Sequence, residues 1–214
     1  MRRRLLGTLI LLVSSTASAA DLQISITDQR GKPVSDAVVS VFPQHGSAQG
    51  AAAPRPGPRT RTIDQVAITF VPYIEVFRPG DKVVFRNSDQ TRHHVYSFSP
   101  IKTFEYMLNP GQSSPPLVLD KAGVVAAGCN IHDSMITYLY VSDAPWIARS
   151  RPDGMVTIGE LPAAAYTVRV WQPRLRPGQP EVTQPVVLVS NSESKSLRFA
   201  LTLLPDSRRA RTAY

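Results

Sequence analysis

The sequence predicts an all-β protein made of more than one sheet-rich unit. Three observations carry that prediction. Short segments in which apolar and polar residues alternate recur along most of the chain. Nineteen prolines, with only 7% aromatic residues, favour many turns over helical packing. Beyond residue 20, no stretch has the length and period of a helix. At 214 residues the chain has room for one large domain or two small ones.

Residues 1–20 are set apart before any fold is argued. Met1-Arg2-Arg3-Arg4 is a basic head, residues 5–13 are a short apolar run, and residues 14–20 are small. Both Ala17-x-Ala19 and Ser18-x-Ala20 suit a signal peptidase. The apolar run is well short of the roughly twenty residues a spanning helix needs. The expectation is a chain exported to the periplasm, with no stable membrane insertion.

In residues 21–27, Leu22, Ile24 and Ile26 alternate with Gln23, Ser25 and Thr27, which reads as a half-buried strand. Asp28-Gln29-Arg30-Gly31-Lys32-Pro33 reads as a turn, and 37–42 as a second strand closing a hairpin. Residues 44–62, rich in proline, glycine and alanine, read as a linker. Strands are then expected at 66–70 and 73–77, on either side of Pro72, and at 82–87 after the turn Arg78-Pro79-Gly80-Asp81. In 94–99, Val95, Ser97 and Ser99 share one face, and His94, Tyr96 and Phe98 the other. Residues 101–107 read as a strand or one helical turn. Strands at 117–119, 123–127 and 136–141 complete this unit. Past Pro145-Trp146 a different unit follows, with a tight turn at Asp153-Gly154 and strands at 155–158, 166–171, 186–189 and 197–203. A basic tail containing Arg208-Arg209-Ala210-Arg211 ends the chain.

The formal net charge is +8. Without the three leader arginines, 21 basic residues face 16 acidic ones. Aromatic residues do not interleave with the basic ones, so no nucleic-acid surface is expected. Nor does the chain carry a Ser-His-Asp order, a phosphate-cradling glycine loop or paired carboxylates beside its polar motifs, and no enzyme is expected.

The most specific chemistry lies in Cys129-Asn130-Ile131-His132-Asp133-Ser134-Met135. Cys129 is the only cysteine, so it cannot form an internal disulfide and is either a reactive thiol or a ligand. Thiolate, imidazole and thioether within seven residues favour copper, and His₂Cys with a weak axial Met is the donor set of a blue electron-transfer centre. The missing imidazole must come from upstream, where His93-His94 is the source. Adjacent residues of a strand point to opposite faces, so only one of the two can turn inward.

At these residues the chain resembles the cupredoxins, the plastocyanin and amicyanin family. Cys129-x₂-His132-x₂-Met135 is similar to the amicyanin ligand loop, and Gly80-Asp81-x-Val83-x-Phe85-x-Asn87 is similar to the strand before the first ligand. Counting from Asn87, the family pattern places His93 as ligand, with His94 as the alternative. Where that family usually has an aromatic residue two before the cysteine, this chain has Ala127. His93-His94-Val95-Tyr96-Ser97-Phe98-Ser99-Pro100 together with Gly128-Cys129-Asn130-Ile131-His132-Asp133 also resembles a bacterial group of plastocyanin-like proteins labelled methylamine utilisation proteins. The flanks differ. Asp28-x-x-Gly31-x-Pro33-x-x-Asp36-Ala37-x-Val39 and Asp153-Gly154-x-x-x-Ile158-x-x-Leu161-Pro162-x-x-x-Tyr166 resemble the carboxypeptidase-regulatory, or prealbumin-like, β-sandwich.

These resemblances imply a cupredoxin-like Greek-key β-barrel or sandwich inserted into, or flanked by, a small prealbumin-like β-sandwich. The implied division is a signal peptide at 1–20, the first hairpin of the β-sandwich at 21–43 and a linker at 44–62. The copper domain follows at 63–143, the rest of the β-sandwich at 144–205 and a flexible tail at 206–214. The implied site is one type 1 copper ion on His93, Cys129, His132 and Met135. The implied function is single-electron transport between redox partners such as a periplasmic dehydrogenase or cytochrome. The alternative is copper storage, delivery or sensing without electron transfer. A third reading is a red copper or zinc site catalysing small-molecule chemistry, which needs an open coordination position or a carboxylate such as Asp133 at the metal.

Overall fold

The computed structural model describes residues 20–44, 57–179, 181–190 and 194–206. All of the expected signal segment but Ala20, the middle of the expected linker and the tail beyond Asp206 lie outside the described residues. Sixteen strands and no helix occur among the described residues. The fold is all-β. Among the described residues, no helix is long and apolar enough to cross a membrane.

In chain order the first strands are β1 (Ala20–Asp28), β2 (Val38–Pro43), β3 (Thr60–Gln65), β4 (Phe70–Val71), β5 (Ile74–Phe77) and β6 (Asp81–Asn87). Next come β7 (His93–Ser99), β8 (Lys102–Leu108), β9 (Leu117–Leu119), β10 (Gly123–Cys129) and β11 (Ile136–Val141). The last five are β12 (Trp146–Arg149), β13 (Met155–Leu161), β14 (Ala164–Trp171), β15 (Val182–Leu188) and β16 (Ser194–Leu201).

Strands β3 to β11 form two sheets among themselves, in the orders β5-β11-β10-β7-β8 and β4-β3-β6-β9. Their inward residues, among them Ile63, Phe85, Val95, Val125, Ala127 and Leu139, bury one apolar cluster. Strands from the two chain ends form the sheets β13-β1-β16 and β12-β2-β14-β15. Leu22, Ile24, Ile26, Val39, Val41, Tyr166, Val168 and Phe199 belong to a second cluster between them. Alternation explains this packing: the inward Leu22, Ile24 and Ile26 are fully buried while Gln23 is exposed.

Three expectations are corrected. First, β1 and β2 do not form a hairpin. Both edges of β1 are taken, by β13 antiparallel and by β16 parallel, while β2 lies between β12 and β14 in the other sheet. The 28–33 turn folds back only as far as the isolated bridge between Thr27 and Pro33, and the Asp28 carboxylate accepts from the Arg30 and Lys32 backbone amides. Second, strand pairing starts at Thr60, inside the expected linker, because 60–65 lie parallel to 82–87. Third, 66–69 is a turn rather than a strand, closed by the Val66 amide on the Thr69 carbonyl at 2.9 Å. Ala67 and Ile68 there adopt left-handed φ values of 50° and 56°. Nothing in two apolar residues announces that conformation. The stretch 101–107, left open between strand and helix, falls in β8, whose residues 102–108 pair antiparallel with β7.

The two pairs of sheets meet through β2, whose first four residues are buried on both faces. Val39 and Val41 face one core, while Val38 packs with Ile74 and Tyr140 in a third cluster that also takes in Tyr73, Tyr138 and Trp171. Around it the Arg78 guanidinium donates to the Ala144 and Pro145 carbonyls at 2.7 and 2.9 Å. The Tyr140 hydroxyl donates to Glu181. Burial, followed by that carboxylate, pushes the Tyr140 phenol well above its ordinary range.

One glycine is demanded by the packing. Gly154 has φ +74°, and a Cβ there would sit 2.4 Å from the Ile26 carbonyl oxygen. Gly154→Ala is therefore expected to lower the unfolding free energy by at least about 1–3 kcal/mol from the left-handed backbone alone, with the clash adding to it. Denaturant unfolding measures this, and an unchanged midpoint would contradict the close approach.

Candidate metal centre

Strand β10 delivers Cys129 at its end, where Gly128 and Cys129 pair with Tyr96 and Val95 of β7. The loop beyond then folds back on itself. The Met135 amide donates to the His132 carbonyl at 3.0 Å, and the Cys129 amide to the Met135 carbonyl at 3.2 Å. The Asn130 amide donates to the His94 carbonyl at 3.0 Å, tying the loop to β7. These bonds bring a strand end and a short loop to the start of β7, where His93 lies.

His93, Cys129 and His132 form the one His, Cys or carboxylate group among the described residues able to hold a metal ion, with their donor atoms all within 4.8 Å of one another. The Nδ1 atoms of both His93 and His132 lie 3.7 Å from the Cys129 Sγ. Their rings are 5.0 Å apart at 59°. Cys129 and His93 are buried and His132 is half-buried. Met135 is buried in the same apolar cluster as Cys129. Soft sulfur with two imidazole nitrogens, converging in a largely apolar enclosure, is a donor set that suits copper.

His94 points the other way. Its ring contacts Glu105 at 2.5 Å and Asn130 at 3.4 Å, on the outer face with Tyr96 and the 80% exposed Phe98. The alternation expected for residues 94–99 is the alternation found. Asp133, weighed as a possible carboxylate at the metal, is exposed and lies outside the donor group. No aromatic ring stands at the Ala127 position. The ring packing of this core comes instead from Phe70, Phe85, Phe104 and Tyr106.

Asp89, which the sequence reading did not single out, completes the surroundings. Its Oδ2 lies 2.9 Å from His93 Nε2 and accepts from the Ile68 amide at 3.0 Å, while Oδ1 accepts from the Ala67 amide at 2.6 Å. Burial would raise its pKa, but the hydrogen bonds from Ile68, His93 and Ala67 outweigh that and hold it below the usual carboxylate value. The 88–92 loop is set by the buried Asn87. Its amide donates to the Thr91 and Leu108 carbonyls, and its oxygen accepts from the Asp89 amide at 3.0 Å.

No protein-family model matches the chain, and no curated protein matches it. Among solved structures it is similar to cupredoxins and a copper enzyme. A Cu-containing nitrite reductase from Thermus scotoductus SA-01 is 25% identical over 45% of this chain, with a TM-score of 0.37, and the chain spans 25% of that protein. A purple cupredoxin from Nitrosopumilus maritimus is 22% identical over 38% of this chain and 98% of its own, with a TM-score of 0.34. Amicyanin from Paracoccus versutus is 16% identical over 48% of this chain and 98% of its own, with a TM-score of 0.35.

Proposed function

We propose that the chain is a periplasmic type 1 copper protein that passes single electrons between redox partners and catalyses no reaction of its own. The observation that supports this most is the convergence of the Cys129 Sγ and the Nδ1 atoms of His93 and His132 in one buried cluster. In this reading Cys129 supplies the thiolate, His93 and His132 complete the plane, and Met135 is the weak axial donor. Copper held there would supply a one-electron couple between Cu(I) and Cu(II). The chain's part is to keep those donors in place: β7 and β10 are paired directly beneath them, and the loop bonds of Cys129, Asn130 and Met135 resist rearrangement. His132, on the half-buried loop beside the exposed Ile131, is the ring edge through which electrons would pass. The partners would be a periplasmic dehydrogenase or a cytochrome. The strands between 60 and 141 are the copper unit, and the sheets formed by the two chain ends are its mount.

Adding one equivalent of Cu(II) to the mature protein is the direct test. The expected result is an intense thiolate-to-copper absorption band with narrow EPR hyperfine splitting. A colourless or rapidly chelator-exchanged product would instead support the alternative, copper storage, delivery or sensing.

A further inference from the structure

We propose that Asp89 is the residue that orients His93, fixing its proton on Nε2 so that Nδ1 is left free to face Cys129 and His132; this rests on the metal reading above for its purpose, but not for its geometry. A fully buried neutral imidazole has one N–H, and that group needs an acceptor. On His93 the carboxylate of Asp89 meets Nε2 at 2.9 Å, while Nδ1 faces a sulfur at 3.7 Å. A carboxylate behind an imidazole fixes its tautomer and ring orientation and makes the opposite nitrogen a stronger donor.

Three features show that this carboxylate is itself held in place. Its own amide is bonded to the buried Asn87, whose side chain also donates to the carbonyls of Thr91 within the loop and of Leu108 at the end of β8. Both of its oxygens accept backbone amides of the 66–69 turn, at 2.6 and 3.0 Å. The two residues donating those amides, Ala67 and Ile68, are non-glycine residues in the left-handed region, a conformation that persists only where its surroundings over-determine it. Asp89 therefore links a turn of one sheet to a buried histidine of the other, and its side chain is only 12% exposed.

An amide cannot replace it. Both oxygens of Asp89 receive N–H groups, so an Asn side chain must present its NH₂ to one donor or another whichever way it turns. The experiment compares wild type with Asp89→Asn, first as metal-free protein by two-bond ¹⁵N–¹H NMR of the histidine rings at neutral pH, then by Cu(II) titration. The expected wild-type spectrum shows His93 as the Nε2–H tautomer. Asp89→Asn is expected to lose that bias and to bind Cu(II) about 10–100-fold more weakly. If that variant folds poorly, the same comparison is made in an Ala67→Gly, Ile68→Gly background, where the turn no longer depends on the carboxylate. A wild-type His93 protonated on Nδ1 would overturn the proposal, as would an Asp89→Asn protein that keeps both tautomer and affinity while losing only thermal stability. A wild type that takes up no copper yet shows the Nε2–H tautomer would overturn the metal reading and leave the role of Asp89 standing.

Discussion

Cys129→Ser is expected to abolish the visible colour of the copper-loaded protein altogether. The absorption of a type 1 site is a transfer of charge from thiolate sulfur to copper, and Cys129 is the only cysteine in the chain, so no other residue can supply the band. Serine is close to cysteine in shape but offers a hydroxyl that stays protonated at neutral pH and is a far poorer donor to a soft ion. The metal-free variant should still fold, because Cys129 is one small member of a cluster whose bulk comes from side chains such as Phe85, Phe70 and Leu139. The cost of placing a hydroxyl at a site only 4% exposed should be on the order of 1–3 kcal/mol. Absorption and EPR spectra with one equivalent of Cu(II), beside a thermal melt of the metal-free form, measure both halves. A Cys129→Ser protein that stayed blue would remove the thiolate from the site.

The second large effect separates two adjacent histidines. His93→Ala is expected to weaken copper binding by more than about 100-fold, beyond what loss of a residue behind a ligand causes, and to remove the narrow hyperfine pattern. His94→Ala should leave both nearly intact. The contrast follows from β7. His93 is fully buried with Nδ1 toward Cys129, whereas the ring of His94 lies on the outer face, where Glu105 is 68% exposed and its pairing is worth little. Equal losses in the two variants would mean that the strand presents the site with its faces exchanged. Equilibrium competition with a copper chelator of known affinity is the measurement that decides.

Much of this architecture could be read from single residues and their spacing. The alternation of Leu22, Ile24 and Ile26 marked β1, and that of Val95 and Ser97 against His94, Tyr96 and Phe98 marked β7, because a pleated strand with one dry face must repeat every two residues. The chemistry of residues 129–135 was equally plain, since a lone cysteine beside histidine and methionine in one short stretch has few uses other than as a soft metal ligand. What could not be read was anything that depends on which distant segment lies alongside. The turn after β1 looked like a hairpin turn, yet the edges of β1 are filled by strands more than a hundred residues away. The apolar run 66–70 looked like a strand, and becomes a turn because Asp89, from a loop twenty residues on, captures its amides.

Sequence alone thus determined the all-β class, the strand faces and the set of donor types at the site. The tertiary structure decided how those parts are arranged: that β1 and β2 enter different sheets, that β2 is buried on both faces, that His93 rather than His94 faces Cys129, and that Asp89 stands behind it. The physical reason is the range of the forces involved. Alternation, turns and ligand chemistry are set by residues within a few positions of one another. Strand partners, by contrast, and the inward choice between two neighbouring side chains, are settled only when separate stretches of chain exclude water together.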